Sequence, residues 1–77
     1  MTEGGRKLRN VRAAQAIKAF ERLGYVEVRK RGSHHILRHP DKGFLVLPLH
    51  RGAIKTGIIM DALKKARISI EQFQKHL

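Results

Sequence analysis

Two adjacent histidines follow three consecutive cations near the middle of the chain, with a glycine and a serine between the two groups. The cations are Arg29, Lys30 and Arg31, and the histidines are His34 and His35. An imidazole has an ordinary pKa of about 6.5, so it can accept or donate a proton at neutral pH. Cations beside it neutralise a phosphodiester and stabilise the charge of its pentacovalent transition state. The segment therefore suggests RNA handling, with RNA cleavage as one form of it.

The residues alone leave two roles open for His34. As a general base it would take the proton from a ribose 2′-OH, whose alkoxide would attack the adjacent phosphate. Otherwise it is a strand histidine that hydrogen-bonds a phosphate or its own backbone. His35 alternates to the opposite face of a strand, where we expect a half-buried structural residue, and His39 faces the same way. His50 is a weaker candidate for an acid or a phosphate ligand.

Metal and membrane functions are disfavoured by the same composition. Four of the histidines could in principle bind zinc, but adjacent strand residues diverge and no carboxylate or thiolate supports the cluster, so we expect no metal and no cofactor. The chain has no cysteine, which excludes disulfides and fits a cytoplasmic location. Its longest apolar runs are far shorter than a spanning helix needs.

The chain of 77 residues has 17 lysines and arginines against 6 acidic residues, a formal net charge of +11. Such a field indicates a nucleic acid or an acidic partner, although a generically basic surface is the alternative. The residues expected to contact RNA phosphates are Arg29, Lys30, Arg31, Ser33, Arg38, Arg51 and Lys55. Three phenylalanines and one tyrosine are the only aromatic residues, so we expect contacts mainly with the RNA backbone and 2′-OH groups.

The apolar periodicity predicts one domain over residues 10–77 after a basic, flexible tail at residues 1–9. A first helix should start near Asn10 as N-cap and end at Gly24. Strands over residues 25–31 and 34–39 should form a hairpin through the Gly-Ser turn.

A third strand over residues 44–49 should bury Leu45, Leu47 and Leu49 and lie at a sheet edge because of Pro48. A second helix should begin with Thr56 as N-cap, and a capping box at residues 69–72 should open a short last helix. The order predicts an α+β fold, α-β-β-β-α, in which a three-stranded antiparallel sheet carries its helices on one face.

The sequence resembles the HicA family, the RNA-cleaving toxins of HicAB type II toxin–antitoxin pairs, over residues 13–77. The resemblance rests on segments 24–25, 31–36, 38–41, 46–50, 54–57 and 69–73. Its most specific part is the Gly-Ser-His-His segment at 32–35, followed by His-Pro-Asp at 39–41. The resemblance implies a fold like that of a double-stranded RNA-binding domain and ribosome-independent mRNA cleavage. It also implies His34 as the catalytic residue and a HicB-like antitoxin that covers this surface.

Two departures from the family pattern stand out. Arg67 replaces the glycine that commonly ends the second helix, so it must either adopt a left-handed conformation or end the helix differently. The N-terminal tail also begins further upstream than is typical. A non-catalytic RNA-binding module of the same fold is the alternative function. DNA binding through the second helix is weaker, because no helix-turn-helix signal is present.

Overall fold

The computed structural model describes residues 10–48 and 52–77. The predicted tail at 1–9 and the predicted roles of Leu49, His50 and Arg51 therefore lie outside the described residues. The elements are α1 (Ala13–Arg22), β1 (Val26–Arg31), β2 (His34–His39), β3 (Gly43–Pro48), α2 (Thr56–Ala66) and α3 (Ile70–Lys75). The predicted α+β fold and its element order are confirmed.

The three strands form an antiparallel meander in the order β1-β2-β3. Gly32 and Ser33 make the turn between β1 and β2, and Gly32 adopts a φ of +57° that favours glycine. Since β3 is an outer strand, Pro48 lies at a sheet edge, where proline is tolerated. Both features agree with the sequence-based predictions.

A β-bulge at Val28 interrupts the pairing of β1 with β2. Glu27 pairs with Leu37, whereas Arg29 pairs with Ile36, so Val28 is left without a partner residue. One extra residue reverses the alternation of side chains beyond it. Arg29 and Arg31 therefore lie on the side of the sheet opposite to Glu27.

The register defines two faces of the sheet. The inner face lies toward the helices and buries Leu37, Leu45 and Leu47. The open face is its opposite side, and its side chains are Val26, Arg29 and Arg31 from β1, His34, Ile36 and Arg38 from β2, and Phe44, Val46 and Pro48 from β3.

The core fills the space between the inner face and the three helices. Phe20 of α1, Ile59 of α2 and Phe73 of α3 are fully buried there. The rings of Phe20 and Phe73 have centroids 5.0 Å apart, and Tyr25 meets Phe20 edge-on at 5.5 Å. Helices therefore cover one face only, as the sequence predicts.

Two helix starts differ from the sequence-based predictions. The N-cap of α1 is Arg12 instead of Asn10, and the N-cap of α2 is Lys55 instead of Thr56. Arg12 is held in an extended bridge to Ala53, so the helix begins only after it. The side chain of Gln15 accepts the Arg12 backbone N–H at 2.9 Å, which satisfies one of the free donors at this end.

The start of α3 agrees with prediction, because the Ser69 hydroxyl accepts the backbone N–H of Gln72 at 3.1 Å. The end of α2 shows which of the two predicted alternatives Arg67 adopts. This residue takes the left-handed conformation, with φ 58° and ψ 41°, and the Ile68 N–H bonds back to the Leu63 carbonyl at 3.0 Å. Arginine therefore occupies a backbone geometry that glycine adopts without steric cost.

Candidate active site

His34 is the first residue of β2, directly after the Gly32-Ser33 turn, and its side chain is exposed on the open face. It pairs with Arg31 across one ladder and with Pro48 across the other. Among the residues that the structure describes, none forms a hydrogen bond or an ion pair with the His34 ring. The imidazole is therefore available to a ligand.

A shallow depression surrounds this imidazole, lined by Arg31, Gly32, Ser33, His34, Ile36 and Val46. Directly paired residues on one sheet face have Cβ atoms about 5 Å apart, so the Arg31 guanidinium can reach a group bound at His34. Arg29 lies in the next row of the same face. The site thus combines a proton acceptor with two cations that can receive a phosphate.

The open face as a whole is cationic. Its described side chains include three arginines and no carboxylate. None of Arg29, Arg31 and Arg38 has an ionic partner within the described part of the chain. Because no acidic side chain competes on this surface, its charge is free to attract a polyanion.

The other two histidines of the sheet, His35 and His39, lie on the inner face. His35 is 5% exposed, and its Nδ1 lies 2.5 Å from a carboxylate oxygen of Glu27. It is thus more deeply buried than the half-buried structural residue that the sequence suggests. The contact joins the residue before the bulge to the residue after His34, which fixes β1 against β2 beside the site.

His39 ties down the other end of β2. Its Nδ1 accepts the backbone N–H groups of Asp41 at 3.0 Å and of Lys42 at 3.2 Å, which closes the turn into β3. Its ring packs against Tyr25 with centroids 5.0 Å apart. Burial in this cluster raises the pKa of the Tyr25 phenol. His39 lies on the same side of the sheet as His35, as the sequence predicts.

The structure brings together only part of the expected cation set. Arg29, Arg31 and Arg38 share the open face with His34, and Ser33 adjoins it in the turn. Lys30 pairs with His35 on the opposite face and lines a depression between α1 and β1. Lys55 is exposed at the start of α2, outside the sheet. The predicted contact of Arg51 lies outside the described residues, as does His50.

Two residues near the site were missed by the sequence-based reasoning. Glu27 was not predicted as the partner of His35, because no pattern in the sequence indicates the β-bulge next to Glu27. Phe44 was counted only among the few aromatic residues, although the alternation that buries Leu45 and Leu47 also directs Phe44 outward. That second signal was present in the sequence.

Within residues 10–48 and 52–77, no group of three or more histidine, cysteine or acidic side chains could hold a metal ion. No helix in the same part of the chain is long and apolar enough to cross a membrane.

The model of a family described as the HicA toxin of bacterial toxin–antitoxin systems matches residues 13–68. The chain belongs to the HicA toxin family. The matched region runs from α1 to just past α2, so it includes the whole sheet, the bulge and His34. Membership identifies a toxin with a cognate antitoxin partner. No curated protein matches the chain at a significant level.

Proposed function

We propose that this HicA toxin is a metal-independent endoribonuclease that cleaves mRNA with His34 as general base. His34 takes the proton of a ribose 2′-OH, and the 2′-oxygen forms a bond to the adjacent phosphorus. The bond from phosphorus to the 5′-oxygen breaks, and that oxygen takes up a proton. The products are a 2′,3′-cyclic phosphate and a 5′-OH.

The difference between the sheet histidines carries this proposal. His35 and His39 have their Nδ1 atoms engaged within the protein, whereas His34 is exposed and has no partner among the described residues. A general base must be within hydrogen-bond reach of the proton it removes, and an exposed imidazole at a strand corner is open to a polymer. His34 is the sheet histidine that meets this condition.

The arginines of the open face supply the electrostatic part of the reaction. Arg31, opposite His34, is placed to stabilise the charge that develops on the phosphate oxygens. Arg29 and Arg38 lie further along the same face and hold neighbouring phosphates in register. This division needs no metal ion, because the charges come from side chains. Contacts of this kind weaken as salt concentration rises.

The proposed partner is a HicB-like antitoxin that covers the open face and excludes RNA. A cationic surface attracts an acidic inhibitor as strongly as it attracts RNA, so one field serves both encounters. Cleavage of mRNA places the activity in the cytoplasm, and neither membrane binding nor direct DNA binding by this chain is part of the proposal.

The test is cleavage of a defined RNA at low salt in the presence of EDTA, with wild type, His34→Ala and His76→Ala. His76 lies near the C-terminus, so its substitution controls for the loss of an imidazole as such. We expect wild type and His76→Ala to release fragments with 2′,3′-cyclic phosphate ends and His34→Ala to release essentially none.

Two outcomes contradict the proposal. If His34→Ala cuts RNA as fast as wild type, the general base is wrongly assigned. If no variant cuts RNA but all bind it with similar affinity, the chain is the non-catalytic RNA-binding module considered above.

A further inference from the structure

Phe44 is an aromatic side chain left on the surface of the sheet. It is 66% exposed, although the chain has few aromatic residues and buries Phe20 and Phe73 completely. It sits on β3 at the end of the open face away from the Gly32-Ser33 turn. A shallow depression beside it extends to Ile58 of α2; its lining is mainly apolar but includes the ion pair of Asp61 and Lys65. A large exposed ring beside apolar surface is typical of a contact site.

Arg38 is the residue paired with Phe44 across the ladder. The two side chains share the open face, with Cβ atoms about 5 Å apart. A planar ring next to an unpaired guanidinium is the combination that binds a nucleotide: the ring stacks on a base, and the cation contacts its phosphate.

The position of Arg38 relative to His34 indicates the path of a bound RNA strand along the open face. Arg38 is four residues beyond His34 on β2, a distance of about 13 Å along the strand. Ile36 and Val46 form the row between them. An RNA strand with its scissile phosphate at His34 can follow β2 across this face. A base further along the strand, and not a base at the scissile bond, then reaches Phe44.

We propose that Phe44 and Arg38 form a base-stacking subsite for single-stranded RNA on the open face. The inference rests on the proposed function for the class of its ligand. Among the described side chains of this face there are three arginines and no carboxylate, which favours a polyanion, and the exposed ring favours one whose bases are unpaired. In duplex RNA the bases are stacked on one another and unavailable to the ring, so a duplex does not use this subsite.

The first test uses fluorescence. The chain has no tryptophan, so Phe44→Trp introduces a single reporter at the proposed subsite. The ligands are a single-stranded 2′-O-methyl RNA of mixed sequence, which cannot be cleaved, and an abasic oligomer of the same length and charge. We expect the RNA to quench the tryptophan and the abasic oligomer to leave its emission nearly unchanged. Equal quenching by both oligomers overturns the proposal.

The second test measures affinity for the same 2′-O-methyl RNA by fluorescence anisotropy. Phe44→Ala should weaken binding about tenfold, or about 1.4 kcal/mol. Phe44→Tyr should restore it, since the stacking ring is kept. Val26→Ala is the matched control, because Val26 is an exposed apolar residue of the same face outside the depression at His34, and it should change affinity less than twofold.

The outcomes separate this inference from the nuclease proposal. Phe44→Ala and Val26→Ala with equal effects overturn the subsite, whatever the cleavage assay shows. Phe44→Ala that leaves RNA affinity intact and weakens antitoxin binding also overturns it, because the ring then serves a protein. If RNA binding depends on Phe44 while no RNA is cleaved, the subsite stands and the nuclease proposal fails.

Discussion

His34 and His35 are neighbours in the chain but belong to opposite faces of the sheet. The His35 ring is buried against the Glu27 carboxylate, while the His34 ring is exposed beside Arg31. Peptide geometry alone sends adjacent strand residues to opposite sides, so the difference comes from what each side offers. The inner face uses an imidazole to hold two strands together, whereas the imidazole on the open face has no partner among the described residues.

The largest expected effect comes from replacing His34, the histidine on the open face. His34→Ala should lower the rate of RNA cleavage by about 10²- to 10⁴-fold, the usual contribution of a general base. Because His34 has no partner in the described residues, the free energy of unfolding should change by less than about 0.5 kcal/mol. Single-turnover cleavage and denaturant unfolding of one preparation check both statements. A variant that is inactive because it has unfolded would refute this reading.

The adjacent cations Arg31 and Lys30 extend the comparison to β1. Arg31 shares the open face with His34, whereas Lys30 pairs with His35 on the inner face. Arg31→Ala should therefore lower cleavage by about 10- to 100-fold, since it removes charge from beside the reacting phosphate. Lys30→Ala should stay within about twofold at the same ionic strength. Similar losses for both would mean that net charge, and not the face, determines activity.

Replacing His35, the histidine on the inner face, should lower the free energy of unfolding. His35→Ala leaves Glu27 without the only partner seen in the described residues, and we expect a loss of about 1–3 kcal/mol in the free energy of unfolding. Glu27→Gln keeps a hydrogen-bonding group and should lose less. Urea unfolding followed by circular dichroism measures both. Unfolding midpoints that match wild type would show that the pair contributes nothing to the fold.

The smallest effect is expected away from the sheet, at Arg67. Arg67→Gly should raise the free energy of unfolding by about 1 kcal/mol, because glycine adopts the left-handed conformation without a clash of Cβ. For a domain of this size the melting temperature should rise by about 4–8 °C. Cleavage should stay at the wild-type rate, which would show that stability gained at a helix end leaves the open face unchanged. A lower melting temperature would contradict the assignment of strain.

Local sequence patterns predict the fold well where one pattern dominates. The alternation that buries Leu45 and Leu47 identifies β3, and the Gly-Ser turn identifies the hairpin. The N-caps fail at Asn10 and Thr56 for a different reason. The backbone of Arg12 is bridged to Ala53, more than forty residues away, and such a contact has no local signature.

The site was only partly predictable for the same reason. His34 and its turn are visible in the sequence, but the faces of Arg29 and Lys30 depend on an extra residue in the ladder. A bulge is a property of two paired strands, and the sequence of one strand does not reveal it. Phe44 needed only the alternation to be followed outward from Leu45.

The bulge at Val28 also predicts a change of length that β1 can tolerate. Without Val28, Glu27 and Arg29 would follow one another opposite Leu37 and Ile36 in an uninterrupted ladder, so Arg29 and Arg31 would keep their side of the sheet. Among cells that survive expression of the toxin, loss of the Val28 codon should therefore be rarer than substitution of His34.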